Sequence, residues 1–212
     1  MGGECRHICP VEKAGLLDNL YRRLIQNPYK ILKPHVRDGI TAMDFGCGPG
    51  FFTIPLAQLV GKTGRVIAVD LQEEMLQIVK EKCIGTEIEE RIVLHRCDIN
   101  KIGISECVDF ILLFYMVHEV PDKAEFFHGI RKLLRPTGHI LLVEPLFHVS
   151  KLAFEQTLDT ARDADFSFSG GPKLFMSRTA ILQKTDSVRA QPLNSSDGKG
   201  PPDLYMVTTI AD

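Results

Sequence analysis

The 212-residue sequence has no excess of charge of either sign, no apolar run as long as a membrane span and no internal repeat. Its 25 Lys and Arg against 27 Asp and Glu leave a net charge of −2, which gives no electrostatic footprint for nucleic acid or anionic lipid and favours small or apolar substrates. The opening MGGECRHICP contains no apolar signal-peptide core, and Arg6 stands where a myristoylation signal carries Ser or Thr. Cys5, His7 and Cys9 are half of a zinc-like ligand set without a second half, so no metal is expected. Six cysteines, at 5, 9, 47, 83, 97 and 107, are expected as free thiols in a cytoplasmic protein.

What is present is a glycine turn around which the rest is organised. The apolar run Thr41-Ala42-Met43-Asp44-Phe45 ends in Gly46-Cys47-Gly48-Pro49-Gly50, and the amphipathic stretch from Phe51 to Val60 follows. This reads as a buried strand feeding a ligand-binding turn and then a helix. A dinucleotide fingerprint has its third glycine at the position occupied here by Phe51. Asp44 lies two residues before the first glycine, where a carboxylate opposes a pyrophosphate and suits a cation. S-adenosylmethionine carries a sulfonium and an ammonium, so it fits this turn better than NAD does. A plain strand-to-helix turn remains the alternative at this point.

Taken in order, Leu16, Leu17, Leu20, Tyr21, Leu24 and Ile25 recur at helical spacing until Asn27-Pro28 stops them. That helix either packs outside the core or closes over the site as a lid, a segment spanning 1 to 37. After the glycine turn, Arg65 to Asp70 is a second strand, completing a βαβ unit, with Asp70 at the spacing from Gly50 at which an acid meets ribose hydroxyls. A helix over 72 to 82, strands over 91 to 96 and 108 to 116, and a helix capped by Asp122 come next. Arg135-Pro136-Thr137-Gly138 reads as a break before a fifth strand over 139 to 144; Ser150 then caps a helix to about Asp163, and a closing hairpin ends near Leu182. The sheet is expected to be mostly parallel. Residues 185 to 212 read as a disordered tail, Gln191 to Pro202 being rich in Ser, Gly, Asn and Pro.

In their order, Asp44-Phe45-Gly46-Cys47-Gly48-Pro49-Gly50, Val69-Asp70, Cys97-Asp98, Val117-His118-Glu119-Val120-Pro121-Asp122 and Arg135-Pro136-Thr137-Gly138-His139 resemble the class I S-adenosylmethionine-dependent methyltransferases, most closely the UbiE/Coq5-like small-molecule group. The resemblance spans residues 38 to 184 and implies an α/β, Rossmann-like, doubly wound seven-stranded sheet whose last strand is antiparallel. It also implies that Asp44, Gly46 and Gly48 line the methionine part of the cofactor. Asp70 would take the ribose, Asp98 the adenine amino group, and Leu71 and Ile99 the two faces of the adenine ring. Phe114, also expected at the cofactor, and Tyr115 stand where relatives often carry a small residue followed by Asn, and Glu119 replaces the second member of a His-His pair that begins at His118.

The expected activity is methyl transfer to a small molecule, with no nucleic acid partner, no membrane span and S-adenosyl-L-methionine as cofactor. His118, Glu144 and Tyr115 are the candidate catalytic residues, since all follow or end strands whose carboxyl ends border the ligand crevice of such sheets. His118 and Glu144 each have a structural alternative, respectively a helix-entry residue bonded to backbone and a supporting or capping carboxylate. His148, Tyr21 and His7 are weaker candidates. Other functions left open are thiol or metalloid methylation through the N-terminal Cys and His residues, a non-catalytic cofactor-binding protein, and an NAD-dependent oxidoreductase.

Overall fold

A computed structural model describes residues 26 to 185 with the exception of Asn100. The expected N-terminal helix, Cys5, His7, Cys9, Tyr21 and all of the expected tail beyond Thr185 lie outside the described residues.

A single seven-stranded sheet forms the centre, in the order β3-β2-β1-β4-β5-β7-β6. Its strands are β1 (Thr41–Phe45), β2 (Arg65–Asp70), β3 (Ile92–Arg96), β4 (Val108–Phe114), β5 (Leu134–Pro145), β6 (Phe166–Gly170) and β7 (Ser177–Lys184). All neighbouring pairs from β3 through β5 are parallel, and β7 runs antiparallel to both β5 and β6. The near-continuous apolar runs of β1, β2 and β4 are what a sheet covered on both faces requires.

Helices α1 (Pro28–Leu32), α2 (Thr53–Leu59) and α3 (Glu73–Cys83) cover one face, where Leu32, Leu56 and Val79 meet Ala42, Val66, Phe110 and Leu112. On the other face lie α4 (Lys123–Leu133) and α5 (Lys151–Asp163), whose Phe127, Ile130, Phe154 and Leu158 meet Met43, Ile67, Ile111 and Leu142. Both of these helices begin as the sequence signals: Asp122 accepts from the Glu125 N–H at 2.9 Å and Ser150 from the Ala153 N–H at 3.1 Å.

Four details depart from the sequence reading. Asn27-Pro28, read as a stop, starts α1: the Asn27 side chain accepts from the Lys30 N–H at 3.1 Å and Pro28 occupies the first turn. Helix α2 begins at Thr53 rather than Phe51 and has only seven residues, because Gly48 to Phe52 are spent on turns. Strand β4 ends at Phe114 rather than Met116, since Tyr115 has a φ of 61°, outside the extended region. Finally, Arg135 to Gly138 do not break the chain before β5 but belong to it. They bulge opposite Asp109, where Pro136 forgoes a ladder bond at no loss, and Asp109 pairs with Arg135.

At the amino-terminal end of the strands, His35 Nδ1 and His139 Nε2 lie 3.1 Å apart, with His35 stacked on Phe110. Burial lowers the pKa of both, and for His35 the His139 charge adds to it.

Candidate cofactor and acceptor site

The strand order reverses between β1 and β4, and outside the carboxyl ends of these strands lies a cavity of about 670 Å³. All eight residues expected at the cofactor line it: Asp44, Gly46, Gly48, Asp70, Leu71, Asp98, Ile99 and Phe114.

The glycines divide their work. Gly46 has a φ of 75°, and a Cβ there would stand 2.9 Å from Met116 Cβ, so it lets the turn pass beneath the β4 tip. Gly48 has a φ of 51°, and a Cβ there would meet nothing within 4 Å; the space it leaves belongs to the cavity.

Three acids set the electrostatics. Asp44 is 2% exposed, and its Oδ2 accepts from Thr53 Oγ1 at 2.6 Å, so the first turn of α2 orients the carboxylate at the end of β1. Asp70 accepts from the Gly48 N–H at 2.9 Å through Oδ2 and from the Gln72 N–H at 3.0 Å through Oδ1. Burial pushes its pKa up, against those backbone bonds. The Gly48 amide therefore points at a carboxylate of its own chain, not at an incoming phosphate. Asp98 joins Lys101 through paired backbone hydrogen bonds that close the loop after β3. Cys47 and Cys97 also line the cavity. Burial drives the Cys47 thiol well up, helped by Asp44 and Asp70, and pushes Cys97 to about 11, so both are neutral thiols at the wall.

Of the three candidate catalytic residues, only Tyr115 lines the cavity. Its hydroxyl lies 2.7 Å from Gln26 Nε2 and 2.6 Å from Ser177 Oγ, while Ser177 Oγ donates to the Phe175 carbonyl at 2.9 Å. The Tyr115 proton is thereby directed to Ser177, and the hydroxyl ties β4 to β7 and to the segment before α1. His118 and Glu144 do come together, with Nδ1 2.6 Å from Oε2, but neither lines the cavity. His148 lies beside His118, with ring centroids 5.8 Å apart and the rings tilted by 31°.

Sequence reasoning missed Glu119, which does line the cavity from a single 3₁₀ turn, Val117–Glu119. Burial raises its pKa, opposed by His118 and reinforced by Asp70 and Glu144. Beyond it, Met116, Val120, Phe126 and Ile102 give that part of the wall an apolar character.

Fold and site together define an α/β protein with a ligand crevice at the topological switch point, acid-lined at its glycine turn. Residues 36–171 match a family of methyltransferase domains, so the chain belongs to the methyltransferase-domain family. It is 29% identical over 146 residues to a demethylmenaquinone methyltransferase of Lactobacillus johnsonii, covering 66% of this chain and 60% of that protein. To one of Staphylococcus aureus it is 32% identical over 110 residues, 51% of this chain and 44% of the other. The chain thus spans about half the length of the curated relatives it matches. A solved SAM-dependent methyltransferase from Aquifex aeolicus superposes with a TM-score of 0.74 at 24% identity, covering 82% of this chain and 98% of the other. A structure described as a putative S-adenosyl-L-methionine-dependent methyltransferase from Methanococcus maripaludis does so at 0.71 with 18% identity, covering 88% and 98%. The fold is that of the class I methyltransferases. Among the described residues no helix is long and apolar enough to cross a membrane.

Proposed function

We propose that this chain is an S-adenosylmethionine-dependent methyltransferase acting on a small, largely apolar acceptor in the cytoplasm rather than on nucleic acid. The observation that carries the reading is the Gly48 amide held by Asp70 at 2.9 Å with Asp44 buried beside it, an arrangement hostile to a pyrophosphate and favourable to a cation. The residues present fit this cofactor: the open space at Gly48 admits a ligand close to the backbone, and the acids Asp44, Asp70 and Asp98 supply only acceptors. The four described cysteines, Cys47, Cys83, Cys97 and Cys107, are free, in keeping with a reducing compartment.

Bound there, S-adenosylmethionine supplies the activated methyl group. The chain's share is alignment and exclusion of water. Asp44 faces the cationic end and Asp70, with lone pairs left over after its two backbone bonds, takes the ribose hydroxyls. Leu71 and Ile99, in the cavity wall, would flank the adenine, and Asp98 would accept from its amino group. The acceptor lies against Tyr115, Met116, Val120 and Phe126. For an acceptor that sheds a proton, Glu119 is the base at the wall, while His118 and Glu144 hold its turn in place.

Titration calorimetry with S-adenosylmethionine and with NADH tests the cofactor. Binding of the first alone supports the reading; binding of NADH alone overturns it in favour of an oxidoreductase. Thiol or metalloid methylation rests on Cys5, His7 and Cys9, which lie outside the described residues; among those described, no three His, Cys, Asp or Glu side chains are placed to hold a metal.

A further inference from the structure

Two turns at the carboxyl end of β5 carry apolar side chains that the core does not use. From the β5–α5 turn and the start of α5, Phe147 is 70% exposed and Leu152 64%; from the turn before β7, Phe175 is 63% exposed. The two turns are joined: the Leu146 N–H donates to the Met176 carbonyl at 3.0 Å, and Arg178 Nε donates to the Val149 carbonyl at 3.2 Å. Leu146 and Met176, the residues at that first hydrogen bond, are themselves exposed. Among the described residues nothing buries these side chains, and exposed apolar side chains on two joined turns are the kind of feature that marks an interaction site.

Its charge is as uneven as its polarity. Residues 145 to 154 and 170 to 178 contain Lys151, Lys173 and Arg178 and not one Asp or Glu, in a chain whose net charge is −2. The nearest acid in sequence on α5, Glu155, lies 3.7 Å from Lys151. The patch also borders the ligand crevice, because Tyr115 in the cavity wall bonds Ser177, the residue after Met176.

We propose that this surface docks the protein on an anionic lipid bilayer, with Phe147, Leu152 and Phe175 entering the headgroup–acyl boundary and Lys151, Lys173 and Arg178 meeting lipid phosphates. Protruding aromatic and aliphatic tips ringed by cations are the combination such an interface selects. A second copy of the chain is a poorer occupant, since a symmetric contact brings the same cations against one another. Docked this way, the crevice rim faces the bilayer, and an apolar acceptor reaches the cavity without crossing water. Vesicle binding is measured with neither cofactor nor acceptor, so this inference stands or falls apart from the methyl-transfer reading.

The test is co-sedimentation of the full chain with unilamellar vesicles of equal parts phosphatidylglycerol and phosphatidylethanolamine, against vesicles of phosphatidylcholine alone. Binding to the anionic vesicles, weakened by salt, is expected. A Phe147→Ser/Phe175→Ser variant should bind at least about tenfold more weakly, a change of ~1.4 kcal/mol. Lys151→Gln/Lys173→Gln should reduce anionic binding toward the phosphatidylcholine level. All four positions are exposed, so circular dichroism and thermal unfolding should match the parent. No co-sedimentation of the parent, or equal binding by the Phe147→Ser/Phe175→Ser variant, overturns the proposal. So does a dimer in analytical ultracentrifugation that this variant dissolves without any vesicle binding, which gives the patch to a second copy.

Discussion

Glu144 holds His118 at two points: its Oε1 accepts the His118 backbone N–H at 3.0 Å, and its Oε2 lies 2.6 Å from Nδ1. The carboxylate is 1% exposed and sits at the end of β5, so it clamps the turn after β4 onto the neighbouring strand. Because a carboxylate only accepts, Nδ1 carries the proton and Nε2 is the basic nitrogen of neutral His118. Burial alone would lower the pKa of this ring, but the hydrogen bond and charge of Glu144, with Glu119, outweigh it and the net direction is upward.

A raised histidine pKa fixes the sign of a pH effect. The folded protein binds the His118 proton more tightly than the unfolded chain, so the contribution is complete below the unfolded value of about 6.5 and is lost as pH rises through the higher folded value. We predict that Glu144→Gln moves the His118 titration, followed by NMR, downward and removes this part of the stability difference between mildly acidic and alkaline pH. An unchanged titration would mean that Glu144 does not set it.

The His35–His139 pair works in the opposite direction. Both pKa values are lowered, so below about pH 6.5 the unfolded chain takes up protons that the folded one refuses, and stability falls with acidification. Substituting both, as His35→Gln/His139→Gln, is expected to flatten this acid limb in denaturation midpoints measured across that range. A limb as steep as the parent's would assign the acid sensitivity elsewhere.

The base assignment separates two neighbours. We expect Glu119→Gln to lower methyl transfer about 100-fold or more to an acceptor that must lose a proton, with cofactor affinity nearly unchanged. His118→Ala, which frees the turn rather than removing the base, should weaken turnover and acceptor binding together. If His118→Ala alone abolishes the rate and its pH dependence while Glu119→Gln is silent, the roles are reversed.

For the glycine turn, Asp70→Ala should weaken S-adenosylmethionine binding by about 1.5–3 kcal/mol and also lower the melting temperature, since the Gly48 and Gln72 amides lose their acceptor. Asp44→Asn should affect binding through the lost charge. An Asp70→Ala protein that binds as tightly as the parent would remove Asp70 from the site.

Gly46 and Gly48 offer a matched pair. Gly46→Ala combines a positive φ with a 2.9 Å approach to Met116 and should destabilise the fold by more than ~1–2 kcal/mol. Gly48→Ala carries the φ strain without the clash and should act mainly on cofactor affinity, read by calorimetry beside a melting curve. Equal melting temperatures for the two variants would contradict this division.

The glycine turn, Asp44 and Asp70 could be read from sequence because their spacing to the glycines places them at the carboxyl ends of β1 and β2, whereas Asp98 came only with the family resemblance and lies just after β3. The choice between His118 and Glu119 could not be read in this way. Tyr115, at a φ of 61°, ends the alternation of side chains along β4, and the following 3₁₀ turn sends neighbouring side chains to different partners. Likewise α1, five residues long, leaves no periodicity to detect, only its cap, and the bulge through Pro136 needs a partner strand before it has any meaning. The docking surface was hidden for another reason: bulk charge averages over a chain, whereas its cations cluster at two turns that only the fold brings together.

The position of β7 bears on how the chain is made. Among the described residues β7 is the last strand in sequence, yet it lies between β5 and β6, pairing with β5 from His139 to Pro145 and with β6 from Phe166 to Gly170. As the polypeptide leaves the ribosome, β1 to β5 can zip together in order, but β5 must wait with an open, strongly apolar flank until Lys184 has emerged. A nascent chain stalled or cleaved before Ser177 would present that flank, with β6 unmoored, to any other strand nearby, and its fate would be a matter for chaperones rather than for catalysis.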